Sequence, residues 1–300
     1  MTQVSESEPA VVLPQTVLPE AVLGSLSPSR AADFKACPLL YRFRCVDRLP
    51  QRPSPAAARG TMVHAVLEAL FDLPAAERTL DAARGLLPAA WDRVRDEEPA
   101  VDELFVGDPD GSEFAAWMAS AGELLGNYFA LEDPRRLEPA SREELIEVVV
   151  DGLRMRGYVD RLDITPAGDI RVVDYKTGAT PREAFEAKAL FQMKFYALVL
   201  WRVRGVVPRQ LRLMYLADAD TLSYAPDADE LERFERTVLA IWAAIQRAME
   251  THDFRPNPSR LCEWCDHQAL CPAFGGTPPP FPENAVLSDP RDADPTVRNP

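Results

Sequence analysis

Asp174 and Lys176 stand one residue apart in the run Val172-Val173-Asp174-Tyr175-Lys176. The β-branched residues Ile170, Val172 and Val173 follow the turn-forming Pro166-Ala167-Gly168-Asp169 and predict a strand. Residues two apart on a strand share a face, so the carboxylate and the ammonium lie on the side of Val172. Charges on an apolar face are costly unless they are paired, bound to metal or used. The plain alternative is an ion pair on an edge strand facing water. Asp160, in Gly157-Tyr158-Val159-Asp160, lies on the preceding segment, and the turn at 165–169 predicts that the two strands are neighbours. Two carboxylates on adjacent strands suit a hard divalent cation such as Mg²⁺ or Mn²⁺. A lysine beside such an ion can orient or deprotonate a water and stabilise charge building on a phosphate. His64 and Glu68, four apart, share a helix face beside Gly60, whose small size would allow a close approach. Gln192 and Tyr196 share a face of the helix that follows the lysine strand. Packed or solvated helix faces are the plain alternatives for both pairs.

The cysteines form a second group. Cys262-x2-Cys265-x5-Cys271 brings three thiols into a short loop-like segment, and Cys37 and Cys45 are the two upstream candidates for a fourth. Four thiolates suit tetrahedral Zn²⁺ or an iron–sulfur cluster, and the spacing leaves both open. Three unrelated buried cysteines are a poor reading of a segment with so few core residues.

The elements that must position these groups follow from the rest of the chain. Its 300 residues are 47% apolar, enough for one large domain or two small ones, and hold no apolar run long enough to span a membrane. The acidic, Pro-rich start lacks the pattern of an export signal. With five cysteines this predicts a reducing, cytoplasmic setting. The net charge of −14 argues against a nucleic-acid binder, but it is unevenly spread. Acidic residues crowd 92–113. Between Arg30 and Arg59 basic residues outnumber acidic ones, with Tyr41 and Phe43 interleaved, and this predicts a path for phosphates along Arg42 and Arg44. Residues 1–24 and 276–300 read as disordered tails around one domain at 25–275. Helices are expected from Ser27-Pro28 to about Val46, at 56–71, 75–97 and 113–131, then at 182–204 and 231–249. Strands are expected at 145–150 and 153–163, joined by a turn at Asp151-Gly152, and at 170–176 and 210–216. The class is α/β with a helical N-terminal half. No phosphate-binding motor loop occurs.

The set Gly60-Thr61-Met62-Val63-His64, Gly157-Tyr158-Val159-Asp160-Arg161, Asp174-Tyr175-Lys176-Thr177-Gly178 and Gln192-Met193-Lys194-Phe195-Tyr196 resembles the PD-(D/E)XK nucleases, in particular their RecB-like exonuclease branch. The resemblance covers about residues 25–275. It implies a restriction-endonuclease-like mixed sheet flanked by helices. It also implies metal binding by His64, Asp160, Asp174 and the Tyr175 carbonyl, a catalytic Lys176, and support from Gln192 and Tyr196. A subset of that branch, of the AddB type, has one cysteine before the nuclease core and three after it, holding a [4Fe–4S] cluster. By resemblance Cys37, Cys262, Cys265 and Cys271 are its ligands, in a C-terminal loop clamped to the first helix, and Cys45 is spare. The activity implied is metal-dependent cleavage of DNA, as an exonuclease on single strands in repair or recombination, with unwinding left to a helicase partner. The alternatives are a non-catalytic nucleic-acid-binding module, an accessory subunit of a helicase–nuclease complex, and a zinc-stabilised adaptor.

Overall fold

Gly24–Leu26 forms a short strand, β1, and Ser27 then starts a helix. The Ser27 hydroxyl accepts from the Arg30 amide at 3.3 Å and Pro28 fills the first turn. A computed structural model describes residues 24–180 and 183–283, without the side chains of 183–186. The tails expected at 1–24 and 276–300 therefore lie largely outside the described residues. The helix expected from 28 to 46 is broken. α1 (Pro28–Ala36) stops before an extended Cys37 (φ −161°, ψ 110°), because Pro38 disfavours helical geometry in the residue before it. α2 (Pro38–Tyr41) runs on into a π-turn at Arg42–Val46.

The next helix, α3 (Pro55–Leu70), repeats the Ser-Pro start at Ser54. α4 (Leu80–Gly85), α5 (Leu87–Glu97) and α6 (Ser112–Leu131) complete the N-terminal half. β2 (Ser141–Val150) and β3 (Leu153–Ile164) form the expected hairpin, with Asp151 (φ 49°) and Gly152 (φ 79°) in the left-handed conformation that a primed turn needs. β4 (Ile170–Lys176), α7 (Glu183–Arg204), β5 (Gln210–Tyr215), β6 (Asp220–Tyr224) and α8 (Ala228–Thr251) follow. β1 and β6 were not expected. Both are too short to carry a clear alternation of apolar and polar residues.

The sheet is mixed. β2 pairs antiparallel along the length of β3. The other edge of β3 is shared: β1 pairs parallel with residues 153–155, and β4 pairs antiparallel with 161–164. Between them lies the stretch 156–160. Beyond β4 come β5, parallel, and β6, antiparallel. Each face of the sheet carries a core. One is built with α7 and α8, and includes Val172, Phe195, Leu198, Leu213 and Val238. The other is built with α3, α5 and α6, and includes Val63, Leu67, Trp91, Leu125, Val173 and Tyr175. This is the expected mixed sheet flanked by helices. Residues 276–283, read from the sequence as the start of a tail, pack on this body. Phe281 stacks on His252 at 3.9 Å and on Phe254 at 6.1 Å.

Candidate active site

Alternation along β4 sends Val173 and Tyr175 into the core under α3, and Val172, Asp174 and Lys176 toward α7. Lys176 Nζ lies 2.7 Å from Asp174 Oδ2 and donates to Gln192 Oε1 at 2.8 Å. Gln192 Nε2 lies 3.0 Å from Asp174 Oδ1 and 2.9 Å from the Tyr196 hydroxyl. The i, i+4 pair of α7 thus faces the carboxylate–lysine pair of β4. Gly157 makes room for this: a Cβ there would lie 2.7 Å from Tyr196 Cε1, so the ring packs flat over the face of β3 at this glycine.

Tyr175 joins this group to a second one. Its amide donates to Asp160 Oδ2 at 2.6 Å, and its carbonyl lies 3.0 Å from His64 Nε2. His64 comes from α3, which approaches the end of β4 closely, since a Cβ on Gly60 would stand 3.2 Å from Thr177 Oγ1. His64 Nδ1 is 3.6 Å from Asp160 and 3.8 Å from Glu143 Oε1. One donor atom each from His64, Glu143 and Asp160 lies within 4.8 Å of the others. Glu68, on the same face of α3, is instead taken up by Arg93 at 3.2 Å.

Sequence reasoning missed Glu143, and the reason is local. Arg142 pairs with Arg161 and Glu144 with Val159, so Glu143 stands opposite Asp160. Val159 packs in the core under α7, whereas Arg161, two residues on, bonds the Tyr175 hydroxyl on the α3 side at 2.8 Å. Across the strand, Ile146 packs under α7, while Arg142 reaches Asp72, just beyond α3, at 2.8 Å. Both strands change face at this pair. Glu143 takes φ 45°, a conformation costly for a residue with a side chain and concentrated at functional positions. A strict two-residue period cannot find it. The one signal in the sequence is an acidic residue in the strand that pairs with the Asp160 strand.

The electrostatics follow from burial and crowding. Burial opposes the His64 cation, but Asp160 and Glu143 outweigh it and hold its pKa well above the usual value. Burial raises the Asp174 carboxyl to about 6, against the pull of Lys176 and with a push from Asp160. Asp160 is held below its ordinary value, burial being overcome by His64 and Lys176. Lys176 stays charged despite burial because Asp174 and Asp160 face it.

Arg161 is wholly buried behind the site. It pairs with Glu132 and, at 3.1 Å, with Asp163, and it donates to the Tyr175 hydroxyl. The residue that carries an amide and a carbonyl into the site is thereby gripped from the opposite face of the sheet.

Of the phosphate path expected along Arg42 and Arg44, Arg42 is turned inward. Arg42 is 8% exposed, pairs with Asp47 at 3.0 Å and lies over the Phe281 ring, and Tyr41 and Phe43 are core residues. Arg44 is exposed but bonds Asp33 at 3.0 Å. The charge count missed that the π-turn directs this side of the segment inward.

The cysteines meet at a corner away from the sheet. Cys37, at the break between α1 and α2, accepts from the Asn257 amide at 3.4 Å, and Cys262 accepts from the Ser259 amide at 3.3 Å. Burial pushes the Cys265 thiol up. The Cys262 and Cys37 sulfurs add to this, while the His267 amide and the Arg44 charge oppose it. Cys271 packs on the edge of the core. Cys45 sits beside Tyr41, whose pKa its charge helps to raise after burial.

The chain matches the model of the PD-(D/E)XK nuclease superfamily over residues 25–272. It is 26% identical over 278 residues to the gene 69 protein of Mycobacterium phage D29, covering 83% of this chain and 96% of that protein. It is 24% identical over 286 residues to the gene 69 protein of Mycobacterium phage L5, with the same two coverages, 83% and 96%. A solved structure from Eubacterium rectale, named as a candidate exonuclease, has a TM-score of 0.53 at 14% identity, over 83% of this chain and 89% of that one. At that identity the likeness shows the fold alone. The family match begins beside β1 and ends just past the last cysteine, taking in the whole sheet and its helices, and the chain belongs to the PD-(D/E)XK nuclease superfamily.

Proposed function

We propose that this protein is a metal-dependent deoxyribonuclease of the RecB-like branch, an exonuclease acting on single strands in repair or recombination. The observation that carries the reading is the junction at Tyr175 of two groups: His64, Glu143 and Asp160 on one side, Asp174, Lys176, Gln192 and Tyr196 on the other. Nucleases of this superfamily use divalent metals. An imidazole nitrogen, carboxylate oxygens and a backbone carbonyl within a few ångströms suit Mg²⁺ or Mn²⁺. His64, Glu143 and Asp160, whose ligand atoms converge, would hold the ion with the Tyr175 carbonyl; Asp174 lies outside that cluster, turned to Lys176 and Gln192, and would have to turn toward the ion to join it. A divalent ion held there would supply Lewis-acid polarisation of the phosphodiester and its attacking water. Lys176, fixed by Gln192 and Asp174, presents an ammonium to the charge that builds on the phosphate. Gln192 holds both neighbours at once, and Tyr196 fixes Gln192. His64 releases its proton before it can act as a ligand, so loading is weaker at low pH.

The cysteine corner supports the [4Fe–4S] reading with Cys37, Cys262, Cys265 and Cys271. Amide N–H groups already point at the Cys37 and Cys262 sulfurs, as outer-shell donors to cluster thiolates do. The role is a structural clamp. Unwinding, where needed, falls to a helicase partner.

The test is digestion of end-labelled single-stranded and duplex DNA by anaerobically purified protein, with Mg²⁺, Mn²⁺ or EDTA. The reading expects digestion from one end of the single strand with either ion and none in EDTA. Cleavage in EDTA, or none with either ion, contradicts it.

A further inference from the structure

Trp264 is 75% exposed, in a molecule whose other described tryptophans are buried or half-buried. It lies in the turn Arg260–Trp264 between the first two cysteines, with Leu261 and Phe274 also exposed around the same loop. An indole carried on a rigid loop and left in water is unusual without a partner. Charges of both signs surround it: Glu263 and Asp266 flank it on the loop, and four arginines come from this turn and from the segment 44–52. Arg260 opens the same turn. Arg52 reaches Asp266, two residues past Trp264, at 3.6 Å and is otherwise in solvent. Arg44 bears on Cys265 from the same segment, though Asp33 engages it. Arg48 and Arg260 are exposed and have no carboxylate partner among the described residues. Arg48 holds φ 53°, so it is the local backbone that turns it out.

This corner is also joined to the active site by a rigid element. Arg52 stands just before the Ser54 cap of α3, and His64 is nine residues into that helix. Nine residues of α-helix span about 14 Å, the reach of a few nucleotides of extended single strand. An exposed aromatic ring on the same turn as the unpaired Arg260, with Arg52 reaching the loop at Asp266, suits a base stacked on the ring with its phosphates at guanidinium groups. A protein partner would be expected to take a larger apolar surface with less charge at its centre.

We infer that Trp264, with Arg260, Arg48 and Arg52, forms a stacking platform for single-stranded DNA at the cysteine corner, feeding the strand along α3 to the His64–Asp160–Asp174 site. The inference rests on the nuclease reading for its substrate, but binding and cleavage are separable. The cysteine loop fixes the platform, which gives the clamp a part in substrate placement as well as in folding.

The experiment measures fluorescence anisotropy of a 5′-fluorescein-labelled twenty-nucleotide thymidylate strand in EDTA, with full-length anaerobic protein. Trp264→Ala is expected to weaken binding about tenfold, equal to about 1.4 kcal/mol, and Trp264→Phe to stay within about twofold of the original. Because Trp264 adjoins Cys265, visible absorbance and the melting curve are recorded for each variant. Should Trp264→Ala disturb either, the Arg48→Ala/Arg260→Ala protein decides. A salt slope lowered by roughly one to two supports the platform, and an unchanged slope overturns it. A Trp264→Ala protein that folds and binds within twofold of the original overturns the platform and leaves the corner to a protein partner, while metal-dependent digestion keeps the nuclease reading. Binding that depends on Trp264, in a protein that digests no DNA, keeps the platform and removes the nuclease reading.

Discussion

The two groups of reactive side chains are held in opposite ways. His64, Glu143, Asp160, Asp174 and Lys176 are set by strands and long helices, and each has partners supplied by the protein: the Tyr175 backbone, Gln192, or one another. The cysteines sit on a helix break and on single turns of 3₁₀ helix, with a few amide hydrogen bonds between them. The first site is organised before any ion arrives. For the second we propose that a bound cluster supplies the cross-link. Loss of a side chain in the sheet site should therefore cost activity and spare the fold, and loss of a cysteine should cost the fold and activity with it.

The largest effect expected is on catalysis. Asp160→Asn and Asp174→Asn should each lower DNA digestion by at least about a hundredfold, weaken Mn²⁺ binding by calorimetry, and leave the melting temperature within a few degrees. Unfolding of both proteins would show that the carboxylates hold the sheet rather than serve it.

At the other site, Cys37→Ser should remove the brown colour and acid-labile sulfide of anaerobic protein. It should also destabilise the whole domain by about 5 kcal/mol, the chain-entropy cost of releasing a cross-link that spans more than two hundred residues. Cys45→Ser should change neither. Bleaching by Cys45→Ser alone would reassign the fourth ligand, and a colourless protein with one equivalent of zinc would replace the cluster while keeping the clamp.

A smaller effect lies between the two sites. Arg161 is buried with Glu132 and grips the Tyr175 hydroxyl. Arg161→Met should cost about 3 kcal/mol of stability by leaving the buried Glu132 carboxylate with Arg212 alone, at 3.5 Å. Its loss of activity should be rescued poorly by Arg161→Lys, which lacks the planar fork. Burial raises the Glu132 pKa, but Arg161 overcomes it and holds the group below its ordinary value. The sign is that of a depressed acid. The stabilisation is full above the unfolded value of about 4.3 and is lost as pH falls through the lower folded value. The melting temperature of the original protein should therefore drop with acid in that window, and that of Arg161→Met should drop less, since Arg212 alone then favours the Glu132 carboxylate. Parallel acid profiles would separate Glu132 from Arg161.

What the sequence disclosed follows the same division. Asp174 and Lys176 were legible because a regular strand repeats every two residues, and Gln192 and Tyr196 because a helix repeats every four. Glu143 was hidden by a positive φ and a change of face that no period describes. Arg42 was misread because charge counting ignores direction, and the π-turn at Arg42–Val46 carries Arg42 inward. β1 and β6 escaped because three and five residues set no pattern. The break at Cys37 could have been read from Pro38 alone. The same break that spoils the helix turns the thiol toward Asn257.

The central claim is that the sheet site hydrolyses DNA through a preformed Lys176 network. The most direct measurement compares wild-type protein with Lys176→Ala, both freed of contaminating nuclease, on an end-labelled single strand in Mg²⁺. Progressive digestion is expected from the wild type and none from the variant, whose melting curve and visible absorbance should be unchanged. Full digestion by Lys176→Ala would contradict it.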